Sequence, residues 1–130
     1  MQLSKFSDYS FRALIYLGHK PHILCTVEEL AQELHASGHH MKKVVHKLAN
    51  LGYIQSQKGR NGGLRLGMEP KDINLGTVLQ STEENMSIMD CFSSKDCPLI
   101  TQGCPLTAIA KTALSAFIKE FSHYTLQDIL

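Results

Sequence analysis

A capping box, a basic helix and a glycine-tipped hairpin follow one another within forty residues, and that order constrains the fold more than any other feature. Thr26-Val27-Glu28-Glu29 is the box. The Thr26 hydroxyl can accept from the Glu29 amide while the Glu29 carboxylate reaches back, starting a helix through Leu30 and Leu34. After His35 and Ala36, Ser37 can cap a third helix. There Met41, Val44, Val45, Leu48 and Leu51 recur at helical period, and Gly52 stands where a glycine ends a helix. A strand from Tyr53 to Gln57, the tight loop Gly59-Arg60-Asn61-Gly62-Gly63 and a second strand from Leu64 to Leu66 come next. Upstream, Ser7 can cap a first helix from Asp8 to His19, with Phe11, Leu14, Ile15 and Leu17 on its apolar face and Asp8 in its first turn, where the macrodipole favours a carboxylate. The expectation is a mainly α fold, a winged helix-turn-helix with a two-stranded wing.

The rest of the chain reads as a short helix around Leu75 to Gln80, a polar loop from Ser81 to Gly103 rich in Ser and Cys, and a final helix opened by Pro105. That helix carries Leu106, Ile109, Ala110, Ala113, Leu114, Phe117 and Phe121 at three-and-four spacing. The stripe suits a long C-terminal dimerisation helix, with packing inside its own protomer as the open alternative. The organisation expected is a winged-helix DNA-binding domain at 1–80, a cysteine-rich loop at 81–104, and a dimerisation helix and tail at 105–130.

A net charge of +1 hides an asymmetry. Residues 1–67 carry nine Lys and Arg against four Asp and Glu, and residues 68–130 carry four against eight. A basic first half suits a polyanion; an acidic second half argues against a protein that coats nucleic acid with its whole surface. The apolar run Ala13 to Leu17 is far too short for a membrane span, and Lys5, Asp8 and Arg12 break up any leader-like N-terminus, so a cytoplasmic protein is expected. In that compartment thiols are kept reduced, so the four cysteines point to metal or redox chemistry rather than to structural disulfides.

Ser37, His39, His40, Lys42, Lys43 and Lys47 mark the candidate groove-facing side of the third helix, with His46 and Asn50 further along it. Lysines there would meet phosphates or bases, while Ser, His and Asn hydrogen-bond without a fixed charge. Arg60 and Asn61, between glycines at the hairpin tip, could enter the adjacent minor groove. A Lys-rich face alone is also ordinary solvated surface; the joint order of elements favours DNA. No catalytic constellation is present, so the chain is not expected to be an enzyme.

Cys91, Cys97 and Cys104 are spaced C-x5-C-x6-C. This matches neither paired zinc knuckles nor the tight ferredoxin run. Three thiolates beside Asp90 and Asp96 would need a cation, which a metal or cluster supplies. Unligated thiols, or a redox pair with one bystander, stay open on spacing alone. Cys25, distant in sequence, reads as a small buried residue.

The chain resembles the Rrf-type family of bacterial regulators, nearest its NsrR branch. The resemblance rests on Met1-Gln2-Leu3 with Asp8-Tyr9 and Arg12-Ala13-Leu14-Ile15, on Leu48 to Tyr53, on Gly59 to Gly67, on Asp72-Ile73-Asn74, on the three spaced cysteines and on Tyr124 to Asp128. It implies a homodimeric repressor whose C-terminal helices cross, whose winged helices read double-stranded DNA at an A·T-rich inverted repeat, and whose Cys91, Cys97 and Cys104 hold an iron-sulfur cluster, 4Fe-4S or alternatively 2Fe-2S. The IscR branch takes a histidine three residues after its third cysteine as fourth ligand; Thr107 stands there in this chain. The resemblance to the NsrR branch implies instead that Asp8 of the other subunit completes the set, with nitric oxide as the signal. A helix-start aspartate on the dipole accounts for Asp8 equally well. Members of this branch are expected to run on past the position of Leu130. The rival readings are a winged-helix regulator that uses thiol oxidation or zinc without a cluster, and a small iron-sulfur assembly or electron-transfer protein.

Overall fold

The structure is a computed structural model and describes residues 1–93, 96–99 and 102–130. Ser94, Lys95, Ile100 and Thr101, all within the predicted cysteine loop, lie outside the described residues. The main elements are α1 (Lys5–Gly18), α2 (Val27–Glu33), α3 (Gly38–Asn50), β1 (Ile54–Gln57), β2 (Gly63–Leu66), α4 (Leu75–Thr82) and α5 (Pro105–Ser122), with 3-10 turns at Pro70–Asp72, Asp90–Phe92 and Leu126–Ile129. This is the mainly helical winged-helix fold expected from the sequence.

Capping decides where the helices begin. Thr26 and Glu29 form both bonds of the box, at 3.1 and 2.7 Å, and Ser37 caps α3 by accepting the His40 N–H at 3.1 Å. Gly52 follows α3 at φ +83°, a conformation that suits glycine. The first helix departs from expectation: it starts at Lys5, capped by Ser4, whose hydroxyl accepts the Ser7 N–H at 3.1 Å. Both serines satisfy the local capping rule. A distant contact favours Ser4, whose own amide donates to the Glu83 carboxylate at 2.9 Å, while Ser7 is fully buried.

Leu14 and Leu17 of α1, Leu30 of α2, Met41, Val44 and Leu48 of α3, and Leu64 of β2 share one buried core. The strands pair antiparallel, with Ile54 opposite Leu66 and Gln57 opposite Gly63. Two isolated bridges add longer-range links: Cys25 to Leu64 ties the second strand to the chain before α2, and Asn74 to Thr125 ties the start of α4 to the C-terminal turn. Through the second bridge the C-terminal turn closes the core, placing Leu126 beside Ile73 with its amide on the Ile73 carbonyl at 2.8 Å, both side chains fully buried.

The fourth and fifth helices form a hairpin around the cysteine loop. Asn74 caps α4 by accepting the Thr77 N–H and donates its side-chain amide to the Ser122 carbonyl at 2.8 Å, so one residue joins the start of α4 to the end of α5. The apolar stripe of α5 divides. Ala110 is buried and Phe121 stacks on Phe11 of α1 at 5.8 Å, but Leu106, Ile109 and Phe117 are 54%, 65% and 40% exposed. Among the described residues, no helix is long and apolar enough to cross a membrane.

Candidate nucleic-acid interface and cysteine loop

Helical period sorts α3 into two faces. Met41, Val44, Val45 and Leu48 point into the core, while His39, Lys42, Lys43, His46, Lys47 and Asn50 are exposed. No carboxylate occurs between Gly38 and Asn50, so nothing on α3 itself neutralises the three lysines. Asn50 Nδ2 lies 3.2 Å from His46 Nε2, an exposed pair one helical turn apart on this face.

Ser37 spends its hydroxyl on the helix cap. His40 differs from the expectation of a groove-facing side chain: it is half-buried, with its ring edge-on to Tyr9 at 5.2 Å and 6.2 Å from Phe6. The reason is angular. His40 stands one helical turn before the buried Val44 and so lies at the border of the buried face, where Tyr9 and Phe6 of α1 meet it. It packs α1 on α3 and leaves the outward positions to its neighbours.

The wing is held to the body by Cys25 and Leu64, whose amides and carbonyls exchange bonds of 3.2 and 2.7 Å. Cys25 is 4% exposed, and burial, followed by the nearby Glu29, pushes its thiol up, as suits an inert core residue. Gly59 adopts φ +116°, and a Cβ on Gly62 would overlap the Gln57 carbonyl; these two glycines permit the tight tip that carries the exposed Arg60 and Asn61. Lys58 and Arg65, both exposed, add two cations that the sequence reading did not single out. Strand alternation was the available signal for Arg65, since Leu64 is buried and its neighbour must point outward.

In the loop between α4 and α5, Cys91 lies in the 3-10 turn, Cys97 in irregular chain and Cys104 just before α5. All three thiols are free and half-exposed. The amides of Thr107, then of Leu106, in the exposed first turn of α5 hold the Cys104 thiol below its ordinary value. Thr107 also faces Cys91, with its hydroxyl oxygen 3.6 Å from the sulfur. One threonine therefore adjoins two of the three candidate ligands. Asp8 is 46% exposed and pairs with Arg12 at 3.0 Å on the next turn of α1. Among the described residues of the single chain, no three His, Cys, Asp or Glu side chains are grouped to hold a metal ion. Three free thiols on one loop, one of them biased toward thiolate, are nevertheless a chemically suitable donor set for iron and sulfide.

Residues 3–130 match a family described as Rrf2, iron-dependent transcriptional regulator. The sequence is 39% identical over 132 aligned residues, covering 100% of this chain and 89% of the relative, to the HTH-type transcriptional regulator NsrR of Shouchella clausii. Identity is 38% to the protein of the same name from Bacillus subtilis, covering 100% and 90%. Among solved structures, the fold is similar to T. potens IscR, with a TM-score of 0.76 at 19% identity over 99% of this chain and 85% of that one. It is also similar to CymR, the global cysteine regulator of B. subtilis, with a TM-score of 0.71 at 24% identity over 99% and 95%.

Proposed function

Since the chain belongs to the Rrf2 family of transcriptional regulators, which bind DNA and are not enzymes, we propose that it is a homodimeric repressor that senses nitric oxide through an iron-sulfur cluster. The observation that carries this reading is the placement of two free thiols, Cys91 and Cys104, around Thr107 at the start of α5. In this reading Cys91, Cys97 and Cys104 hold the cluster, 4Fe-4S or alternatively 2Fe-2S, and Asp8 of a second copy is the fourth ligand. When bound, the cluster supplies iron that nitric oxide can ligate. The chain's own groups do the rest. Amides at the start of α5 favour the Cys104 thiolate, and Arg12 orients the Asp8 carboxylate. Oxygen is a harder and poorer match for such iron than thiolate, so Asp8 would be the most weakly held of the four ligands. The exposed Leu106, Ile109 and Phe117 supply the apolar face on which the second copy packs.

On the DNA side, α3 lies in the major groove with Lys42, Lys43 and Lys47 on phosphates or bases and His39 within reach of base edges. The wing brings Arg60 and Asn61 to the minor groove of an A·T-rich inverted repeat. Each lysine or arginine that neutralises one phosphate adds about 0.9 to the slope of log affinity against log salt. Lys42→Ala and Arg60→Ala are each expected to weaken operator binding and to lower that slope by about 1. An unchanged slope and affinity in both would remove α3 and the wing from the interface.

Anaerobic purification followed by visible absorption and by iron and sulfide analysis tests the sensor. A colourless protein carrying zinc would overturn it. Asp8→Ala is expected to leave iron bound but labile, with weaker control of DNA affinity. Spectra and a nitric oxide response identical to the unaltered protein would refute the role of Asp8.

A further inference from the structure

The cap of α1 is held from outside its own helix. Glu83 is the first residue beyond α4, its amide still on the Leu79 carbonyl at 2.9 Å, and it opens the segment that leads to the cysteines. Its Oε2 accepts the Ser4 N–H at 2.9 Å. Burial alone would raise this carboxyl; the Ser7 hydroxyl, the Ser4 amide and the Ser4 hydroxyl together outweigh it and hold the carboxyl below the usual range. The result is an anion at the positive end of α1, where the macrodipole also favours it. A salt bridge on the surface would be replaceable, but here Ser7 is fully buried and the Ser4 hydroxyl bonds Ser7 Oγ at 3.2 Å.

From that latch the contacts continue without a break. Phe6 and Tyr9, within the next turns of α1, meet the His40 ring, and the His40 amide is the one that Ser37 caps at the start of α3. Asp8 lies between Phe6 and Tyr9 on the same segment. One carboxylate thus joins the first residue of the cysteine-bearing segment to the end of α1, and α1 to the first turn of the recognition helix.

We infer that Glu83 is a positioning residue, through which the arrangement of the cysteine loop is passed to α3 by way of the α1 cap and the Tyr9–His40 contact. The sensory part of this inference rests on the proposed cluster. The mechanical part does not, and the two are separable. In the iron-free chain, Glu83→Ala is expected to speed amide hydrogen exchange tenfold or more at Ser7 and Asp8 and also at His40 and Met41. Glu83→Gln keeps an oxygen to accept the Ser4 N–H and is expected to restore most of the protection. If the first turn of α1 loosens while His40 and Met41 keep their protection, the latch is only a local staple and the inference is overturned. In anaerobically prepared protein, Glu83→Ala is expected to retain iron and sulfide while the ratio of DNA affinities with and without iron falls to within about twofold of one. A ratio unchanged from the unaltered chain would overturn the coupling. An unaltered chain that never binds iron would instead refute the sensor, and the exchange result would still decide the latch.

Discussion

Cys104→Ser is expected to yield a folded, colourless protein with less than a tenth of the iron of the unaltered chain and no iron-dependent change in DNA affinity. A serine hydroxyl stays protonated at neutral pH, so the amides that bias Cys104 toward thiolate have no anion to favour and the loop loses one of its three soft donors. The same substitution should help the fold. Cys104 is the N-cap of α5, a position at which serine is a preferred residue, worth about 0.5–1 kcal/mol. Iron content and melting temperature should therefore move in opposite directions. Full iron with an unchanged spectrum would show that Cys104 is not a ligand, and loss of iron together with loss of folded protein would assign it a structural role.

Gly76→Ala provides the second large effect, because two physical terms predict opposite signs. By helix propensity alone, replacing glycine inside α4 with alanine stabilises by about 1 kcal/mol. Packing says otherwise. A Cβ at Gly76 would land on Ser122 Oγ and lie 2.8 Å from Ser122 Cα and Cβ, and the Ser122 hydroxyl is already engaged with the Ile118 carbonyl at 2.9 Å. Backbone cannot swing aside as a flexible side chain can, so the start of α4 and the end of α5 must separate, at the end of the helix pair away from the cysteine loop. Overpacking of this kind costs roughly 1–3 kcal/mol; set against the propensity gain it leaves a net loss of about 1 kcal/mol and at most about 2, so the melting temperature is expected to fall by about 4 °C and at most about 8 °C. The Asn74 to Ser122 and Leu75 to Tyr124 bonds lie at the same junction and should weaken with it. A melting temperature at or above that of the unaltered chain would show that the close approach of the two helices is not required.

Much of the candidate site was legible because its signals are local. The Thr26 box, the Ser37 cap, the glycines of the wing and the outward lysines of α3 depend on residues within a few positions of one another, and each element forms where those signals place it. The exceptions share one cause. Ser4 rather than Ser7 caps α1 because Glu83, distant in sequence, accepts the Ser4 amide. His40 is half-buried because Tyr9 and Phe6 of another helix lie against it. The C-terminal turn reads in sequence as a tail, yet Leu126 completes the core beside Ile73.

What the sequence by itself determined, then, is the order of caps, turns and apolar periods that yields a winged helix, together with three cysteines on one loop. Those properties follow from backbone geometry and from the hydrogen-bonding capacity of neighbouring residues, which the chain carries wherever it is placed. Only the tertiary structure decided that Thr107 sits against Cys91 beside Cys104, that Gly76 admits Ser122, and that Glu83 holds the end of α1. Each of these joins residues far apart in sequence, whose meeting depends on how the buried faces of several helices pack together rather than on any periodicity within one of them.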